Sequence, residues 1–401
     1  MRILVYNVPN TLNYGSMMMA ENFLNNLRLM IGDKSQLEAI IITKKRQETK
    51  QRFESVLNNE INIITISPGK KIEEIFNLIT CKNIKNMITD FQIDVAVVFG
   101  GDDFSEDYGF IGPLMELIEF YHLKNLGIKV FMCGQTVGPF YKWRKYIFKK
   151  LLRNIEVISA RDPITYEYLT KDFRLKNVTL NADLAFLPLA RENDNLSIDI
   201  PSNYITIVPS GLIWRYAKIK NRESYIDFLV KLVVTLYKEY KTDIVLLPHV
   251  VTDDDIYNDV LAARDVYIYS LRAGIPADKI HIIKSHLLPF EARKILGGSK
   301  FVITGRMHAA ISSFEQGVPV ISYAYSRKYH GIIGEYFGME SLIIDIRDIT
   351  WDEALKATMN ALRYVEENEK ILRDRINTVM NDMQAKALAI VKDFVYRMNC
   401  Q

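Results

Sequence analysis

Arg306 and His308 stand two residues apart, directly after the β-branched run Phe301–Thr304 and Gly305. They precede a helical pattern, Ala309–Gln316, that ends at Gly317. An arginine at such a strand–helix junction meets unpaired backbone amides and the positive end of a helix dipole. It can grip a carboxylate or phosphate through two parallel hydrogen bonds. A histidine beside it can add a charge-assisted bond or move a proton near neutral pH. The junction therefore reads as an anion site, with a surface arginine and a capping histidine as the plain alternative. In such a loop Arg306 is expected to serve binding rather than the fold. The next strand-like run, Val320–Tyr323, leads into a second cationic stretch containing Arg327, Lys328 and His330, which by itself also fits a solvated basic loop.

Other strand ends carry chemistry too. Val95–Phe99 runs into Gly100 and Gly101, which let a backbone approach a ligand, and then into the carboxylates of Asp102 and Asp103. An ordinary strand–helix turn explains the glycine pair equally well. Val130–Cys133 is followed by small residues and a Gly138-Pro139 turn. Val157–Ser159 is followed by Arg161, with Asp162-Pro163 as helix cap and first helical residue. Ile244–Leu247 ends at Pro248-His249. Asp253, Asp254 and Asp255 read as the first acids of a helix over Asp254–Ala273 rather than as metal ligands. Phosphate-loop, zinc-helix and nucleophile-elbow motifs are absent, and the turn after Ile3–Tyr6 lacks the dinucleotide-binding glycines.

The elements that must position these residues alternate strand and helix from end to end. That alternation implies βαβ units and parallel sheets covered on both faces, whose ligands sit beyond the carboxyl ends of the strands. A chain of 401 residues with 49% hydrophobic and 25% charged residues is an ordinary globular protein, long enough for two domains. The polar stretch Ala190–Asn203 is the best boundary. It suggests domains at 1–190 and 203–350, with a charged, amphipathic helical segment at 351–401. Three scattered cysteines rule out a disulfide framework, and a net charge of +3 is too mild to indicate nucleic acid. The start of the chain lacks a signal peptide's apolar core, and no apolar run approaches a membrane span. A cytoplasmic protein is expected.

The ordered set Asn13-Tyr14-Gly15, Gly100-Gly101, Gly134 to Pro139, Ala160-Arg161-Asp162, Asp183 to Phe186, Pro248-His249, Arg306-Met307-His308 and Gly317-Val318-Pro319, then Tyr325 and Lys328, resembles the polysaccharide pyruvyl transferase family. The resemblance spans about residues 10 to 340. It implies an α/β fold of two Rossmann-like domains with parallel sheets facing a cleft, similar to GT-B glycosyltransferases. It further implies transfer of a pyruvyl group from phosphoenolpyruvate to a sugar of a polysaccharide or its precursor as a cyclic ketal. Phosphoenolpyruvate would be a co-substrate, with no cofactor and no metal.

The family's phosphoenolpyruvate-binding Arg-x-His element falls on Arg306, Met307 and His308. Lys328 and either Arg161 or Arg215 would complete the anion site. His308 would transfer a proton or stabilise phosphate, with His249 as its rival. Asp103 or Asp102 would orient or deprotonate the acceptor. The acceptor is expected on the amino-terminal half, which carries Asn13, Gly15, Gly100, Gly101 and Gln135. There the sequence departs from the family, with Ser16 where an acid is common and Asp102 closing a glycine triplet. A lipid-linked acceptor, and with it peripheral membrane contact, is compatible with the resemblance. The competing readings are a GT-B glycosyltransferase using a nucleotide sugar and a family member without catalysis.

Overall fold

A computed structural model describes residues 1–32, 37–68, 82–196, 198–255, 258–284 and 286–399. Cys81 and Cys400 lie outside them, and Cys133 is a buried free thiol. The chain divides into two compact units, one of residues 1–11, 16–190 and 383–401, the other of 12–15 and 191–382.

The amino-terminal unit is built on seven parallel strands: β1 (Arg2–Tyr6), β2 (Glu38–Ile42), β3 (Asn62–Ile66), β4 (Val95–Val98), β5 (Lys129–Gln135), β6 (Val157–Ala160) and β7 (Val178–Leu180). Their order is β3-β2-β1-β4-β5-β6-β7. Runs such as Val95-Ala96-Val97-Val98 are wholly buried, because helices cover both faces of a parallel sheet. On one face Leu4, Val98, Val130 and Ile158 pack against Phe104, Leu117, Phe120 and Phe148.

Six parallel strands form the carboxy-terminal unit: β8 (Tyr204–Val208), β9 (Asp243–Leu246), β10 (Ile280–Ile282), β11 (Val302–Thr304), β12 (Val320–Ala324) and β13 (Ile343–Asp345). They run in the order β10-β9-β8-β11-β12-β13. Strands β7 and β13 were not anticipated. Each is three residues long at a sheet edge and only partly buried, so neither shows the continuous apolar run that betrays a central strand.

The chain's last two helices are α1 (Trp351–Glu367) and α2 (Glu369–Asn399). Helix α1 starts with a reciprocal cap between Thr350 and Glu353 and seats Trp351 against Tyr225 and Phe228. Helix α2 passes from one unit to the other at Met383, and Phe394 packs on Phe23 and Phe131. The helical segment 351–401 is thus divided between the two units.

Each sheet has one place where neighbouring strands send the chain in opposite directions. It lies between β1 and β4 in the first sheet and between β8 and β11 in the second. A crevice opens beyond the carboxyl ends of such a strand pair. The residues that follow β1 and β4 include Asn7, Gly100 and Gly101, while Gly211 follows β8 and Arg306 follows β11.

Candidate functional site

In the carboxy-terminal unit, β11 ends at Thr304, Gly305 turns the chain, and Arg306 precedes helix α3 (Met307–Glu315). Gly305 is required by space: a Cβ there would lie 2.8 Å from Ile213, while its carbonyl accepts a 2.8 Å bond from the buried Tyr329 hydroxyl. Arg306 does make the expected two-pronged grip, but on a carboxylate of its own chain. Nη2 lies 2.5 Å from Oδ1 of Asp259 and Nε 3.1 Å from Oδ2. The expectation that Arg306 serves binding alone is therefore corrected.

Asp259 is fully buried and opens helix α4 (Asp259–Arg272), capped by Asn258. It also accepts from the backbone N–H groups of Gly211 at 2.8 Å, His249 at 3.2 Å and Val250 at 2.9 Å. One carboxylate thus ties together the turns after β8, β9 and β11. Burial works against the Arg306 charge, but Asp259 outweighs it and holds the guanidinium pKa above its ordinary value. The sequence reading missed Asp259. Its only local signal was an acid in a helix's first turn, and the neighbouring acids Asp253–Asp255, expected inside that helix, precede it.

His308, in the first turn of α3, lies directly against Gly15, whose missing side chain leaves room for the imidazole. The stretch 12–15 is joined to this unit by Val251 N–H donating to the Leu12 carbonyl (3.0 Å), an Asn13–Val250 bridge and Tyr14 N–H donating to the His249 carbonyl (3.3 Å). Asn13 and Gly15 therefore stand beside His308 and His249. Their expected place on the amino-terminal half is corrected, because cross-strand pairing of this kind leaves no mark on the sequence around residue 13.

His249 is 1% exposed, packs edge-on to Tyr14, and keeps a buried Nε2 without a hydrogen-bond partner among the described residues. Burial, then the charges of His308, Arg306 and Arg293, push its pKa well below the usual histidine range, so it is neutral at pH 7. Met307 is buried at the start of α3. Lys328 is buried as well, its Nζ 3.1 Å from the Tyr325 hydroxyl and above the Tyr325 and Tyr329 rings. It is not part of a solvated loop. Arg215 lies in this unit, exposed, on a turn whose next residue, Tyr216, stacks on Tyr325. His330 is held between Glu340 and Asp345, a structural role.

In the amino-terminal unit, Gly100 has φ +110°, and a Cβ on it would strike the Asp103 carboxylate. Asn7, left-handed at φ 62°, donates from Nδ2 to Glu116 at 3.1 Å. Burial first, then the Asp103 charge, raises Glu116 to about 7, against the pull of Asn7. Glu116 was invisible to the sequence reading as one acid in a long helix. Asp102 is half-buried beside Gly101, whose carbonyl accepts from Thr136 N–H at 2.9 Å.

Arg161 has its partner within its own unit. It lies 1% exposed in the amino-terminal unit beneath Gly101, its Nη1 2.6 Å from Asp183 and its Nε 2.8 Å from Thr136. A residue expected to grip a ligand is instead half of a buried internal ion pair. Gln135 is also fully buried and donates to the Val98 carbonyl at 3.1 Å, so its side chain braces adjacent strands. Among the described residues no group of His, Cys, Asp or Glu is placed to hold a metal ion.

Residues 13–327 match the protein family described as polysaccharide pyruvyl transferase. The chain is 24% identical over 300 residues to the amylovoran biosynthesis protein AmsJ of Erwinia amylovora, covering 70% of this chain and 69% of that protein. Among solved structures it is similar to the UDP-GlcNAc 2-epimerase of Neisseria meningitidis bound to UDP-GlcNAc (TM-score 0.64, 13% identity, 99% of this chain and 100% of that one). The UDP-GlcNAc 2-epimerase of Methanocaldococcus jannaschii is similar too, with TM-score 0.62, 14% identity, and 98% and 99% coverage. At such identities the likeness concerns the fold, a GT-B-like pair of parallel-sheet α/β units.

Proposed function

This chain belongs to the polysaccharide pyruvyl transferase family, and from that premise we propose that it transfers the pyruvyl group of phosphoenolpyruvate to a sugar as a cyclic ketal, releasing phosphate. The observation that carries the reading is the strand-end group of the carboxy-terminal unit. There Arg306, fixed by Asp259, precedes the amino end of α3, with His308 and His249 beside Gly15.

Phosphoenolpyruvate carries a carboxylate and a phosphate, so its site needs fixed cations and oriented amides. Arg306, the first amides of α3 and Lys328 provide these, with Arg215 able to approach from the exposed turn. The reaction adds a proton to the methylene carbon while a sugar hydroxyl attacks the central carbon. Phosphate then leaves with its bonding electron pair, and a second hydroxyl closes the ring as it loses its proton. His308 is the proton carrier or the phosphate partner, while neutral His249 lines the same place without adding charge. On the acceptor side Asp103 is the group that would take the hydroxyl proton, with Glu116 behind it. Gly100, Gly101 and Asp102 shape that edge.

Incubation with phosphoenolpyruvate and candidate glycans should release phosphate and give a product heavier by one pyruvyl ketal. Thermal stabilisation by a nucleoside diphosphate but not by phosphoenolpyruvate would replace this reading with a nucleotide-sugar glycosyltransferase. No stabilisation by either, with no turnover, would indicate a member without catalysis.

A further inference from the structure

The segment Tyr141–Arg153 (YKWRKYIFKKLLR) contains six Lys or Arg residues and no acid. Its helix, α5 (Arg144–Leu152), has two unlike faces. Inward, Phe148 and Leu152 are buried, and Phe148 stacks on Phe140 at 3.9 Å between ring centres. Outward, Trp143 is 63% and Tyr146 65% exposed, with Tyr141 and Ile147 exposed beside them.

A second loop extends this surface. The Arg144 guanidinium sits over the Phe110 ring, and both Phe110 and Ile111 are exposed. Glu106 binds Arg144 and accepts from Tyr141 N–H, Pro139 accepts from Glu106 N–H, and Gly138 N–H donates to Phe104. The aromatic face is thus built in place by bonds between the loops that follow β4 and β5. Around it stand Lys142, Lys145, Lys149, Lys150 and Arg153, for which the described residues provide no acidic partner.

We propose that this face docks the protein on an anionic lipid bilayer. A contiguous exposed apolar patch is rare on a soluble protein and marks an interaction surface. Trp and Tyr favour the boundary between hydrocarbon and water, and clustered lysines favour acidic headgroups. A nine-residue helix is far too short to span a bilayer, but it can lie in the headgroup plane with its aromatic face inserted. A second copy is disfavoured as occupant, because a symmetric contact would set two unpaired cationic rims against each other. Nucleic acid is disfavoured because the chain as a whole carries a net charge of only +3. The loops concerned lie at the carboxyl edge of the sheet that also carries Gly100 and Asp103. A docked protein would therefore hold that edge near the membrane surface.

The test is cosedimentation of the full chain with sucrose-loaded vesicles of phosphatidylcholine, with and without phosphatidylglycerol. The protein should pellet with the anionic vesicles only and be released by salt. The double variant Trp143→Ser with Tyr146→Ser should weaken binding at least about tenfold, and Lys142→Glu with Lys145→Glu should do the same through charge. These side chains are exposed, and unchanged circular dichroism would confirm that the variants fold. Absence of binding, equal binding to neutral vesicles, or binding indifferent to both variants would overturn the proposal. Self-association abolished by Trp143→Ser, without vesicle binding, would overturn it in favour of a second copy.

Discussion

Removing either partner of the Arg306–Asp259 pair should destabilise the carboxy-terminal unit, and by unequal amounts. Arg306→Ala leaves the Asp259 carboxylate buried with three backbone donors still in place. Breaking a buried ion pair typically costs about 3–5 kcal/mol. Arg306 keeps some exposure, its side chain being 13% accessible, and the three amides go on solvating the charge. The expected loss is therefore about 2–3 kcal/mol, or roughly 4–12 °C in Tm for a unit of this size.

Asp259→Ala is worse, because it strands three amides and a guanidinium together. At about 1–3 kcal/mol for each buried unsatisfied donor, the loss exceeds about 5 kcal/mol and approaches the total stability of an ordinary domain. Urea denaturation followed by fluorescence reads both variants, since Trp214 and Trp351 lie in this unit. Titration calorimetry with phosphoenolpyruvate on folded Arg306→Ala and Arg306→Lys then reads the binding role. Lysine should not restore it, because an ammonium cannot reproduce the side-on fork toward Asp259. An Arg306→Ala protein within about 0.5 kcal/mol of wild type, or an Asp259→Ala no worse than Arg306→Ala, would refute the reasoning.

Other expected outcomes follow from the same geometry. Gly15→Ala places a methyl group where the His308 ring lies, so kcat should fall sharply while far-ultraviolet circular dichroism is unchanged. His308→Ala should lower kcat by about 10²-fold or more if the ring carries a proton; His308→Gln retaining wild-type kcat with a raised KM would reassign it to binding. His249, buried and neutral, takes up no proton in the native state where the unfolded chain does. Stability should therefore fall as pH drops below about 6.5, and His249→Gln should remove up to about 1.4 kcal/mol per pH unit from that slope in acid denaturation curves. His330 has the opposite sign, its pKa being raised by hydrogen bonding to Asp345, against partial burial, with Glu340 adding to it. Its contribution is complete below about pH 6.5 and is lost as pH rises through the higher folded value, so His330→Gln should flatten stability there.

The sequence by itself determined the two parallel-sheet units and where chemistry could sit. Strand and helix are local patterns, and a parallel sheet delivers whatever follows each strand to one edge, so Gly100, His249, Arg306 and His308 could be placed at strand ends without coordinates. Only the tertiary structure decided which of them meet. Arg306 and Asp259 are 47 residues apart, and nothing local to either announces the other. Gly15 is small because a histidine from the far end of the chain fills the space above it, and Arg161 looks like a ligand arginine until Asp183 is seen beside it. Periodicity records which side chains are buried. It holds no record of a buried charge's partner, because that partner arrives from another strand end and leaves no spacing to read.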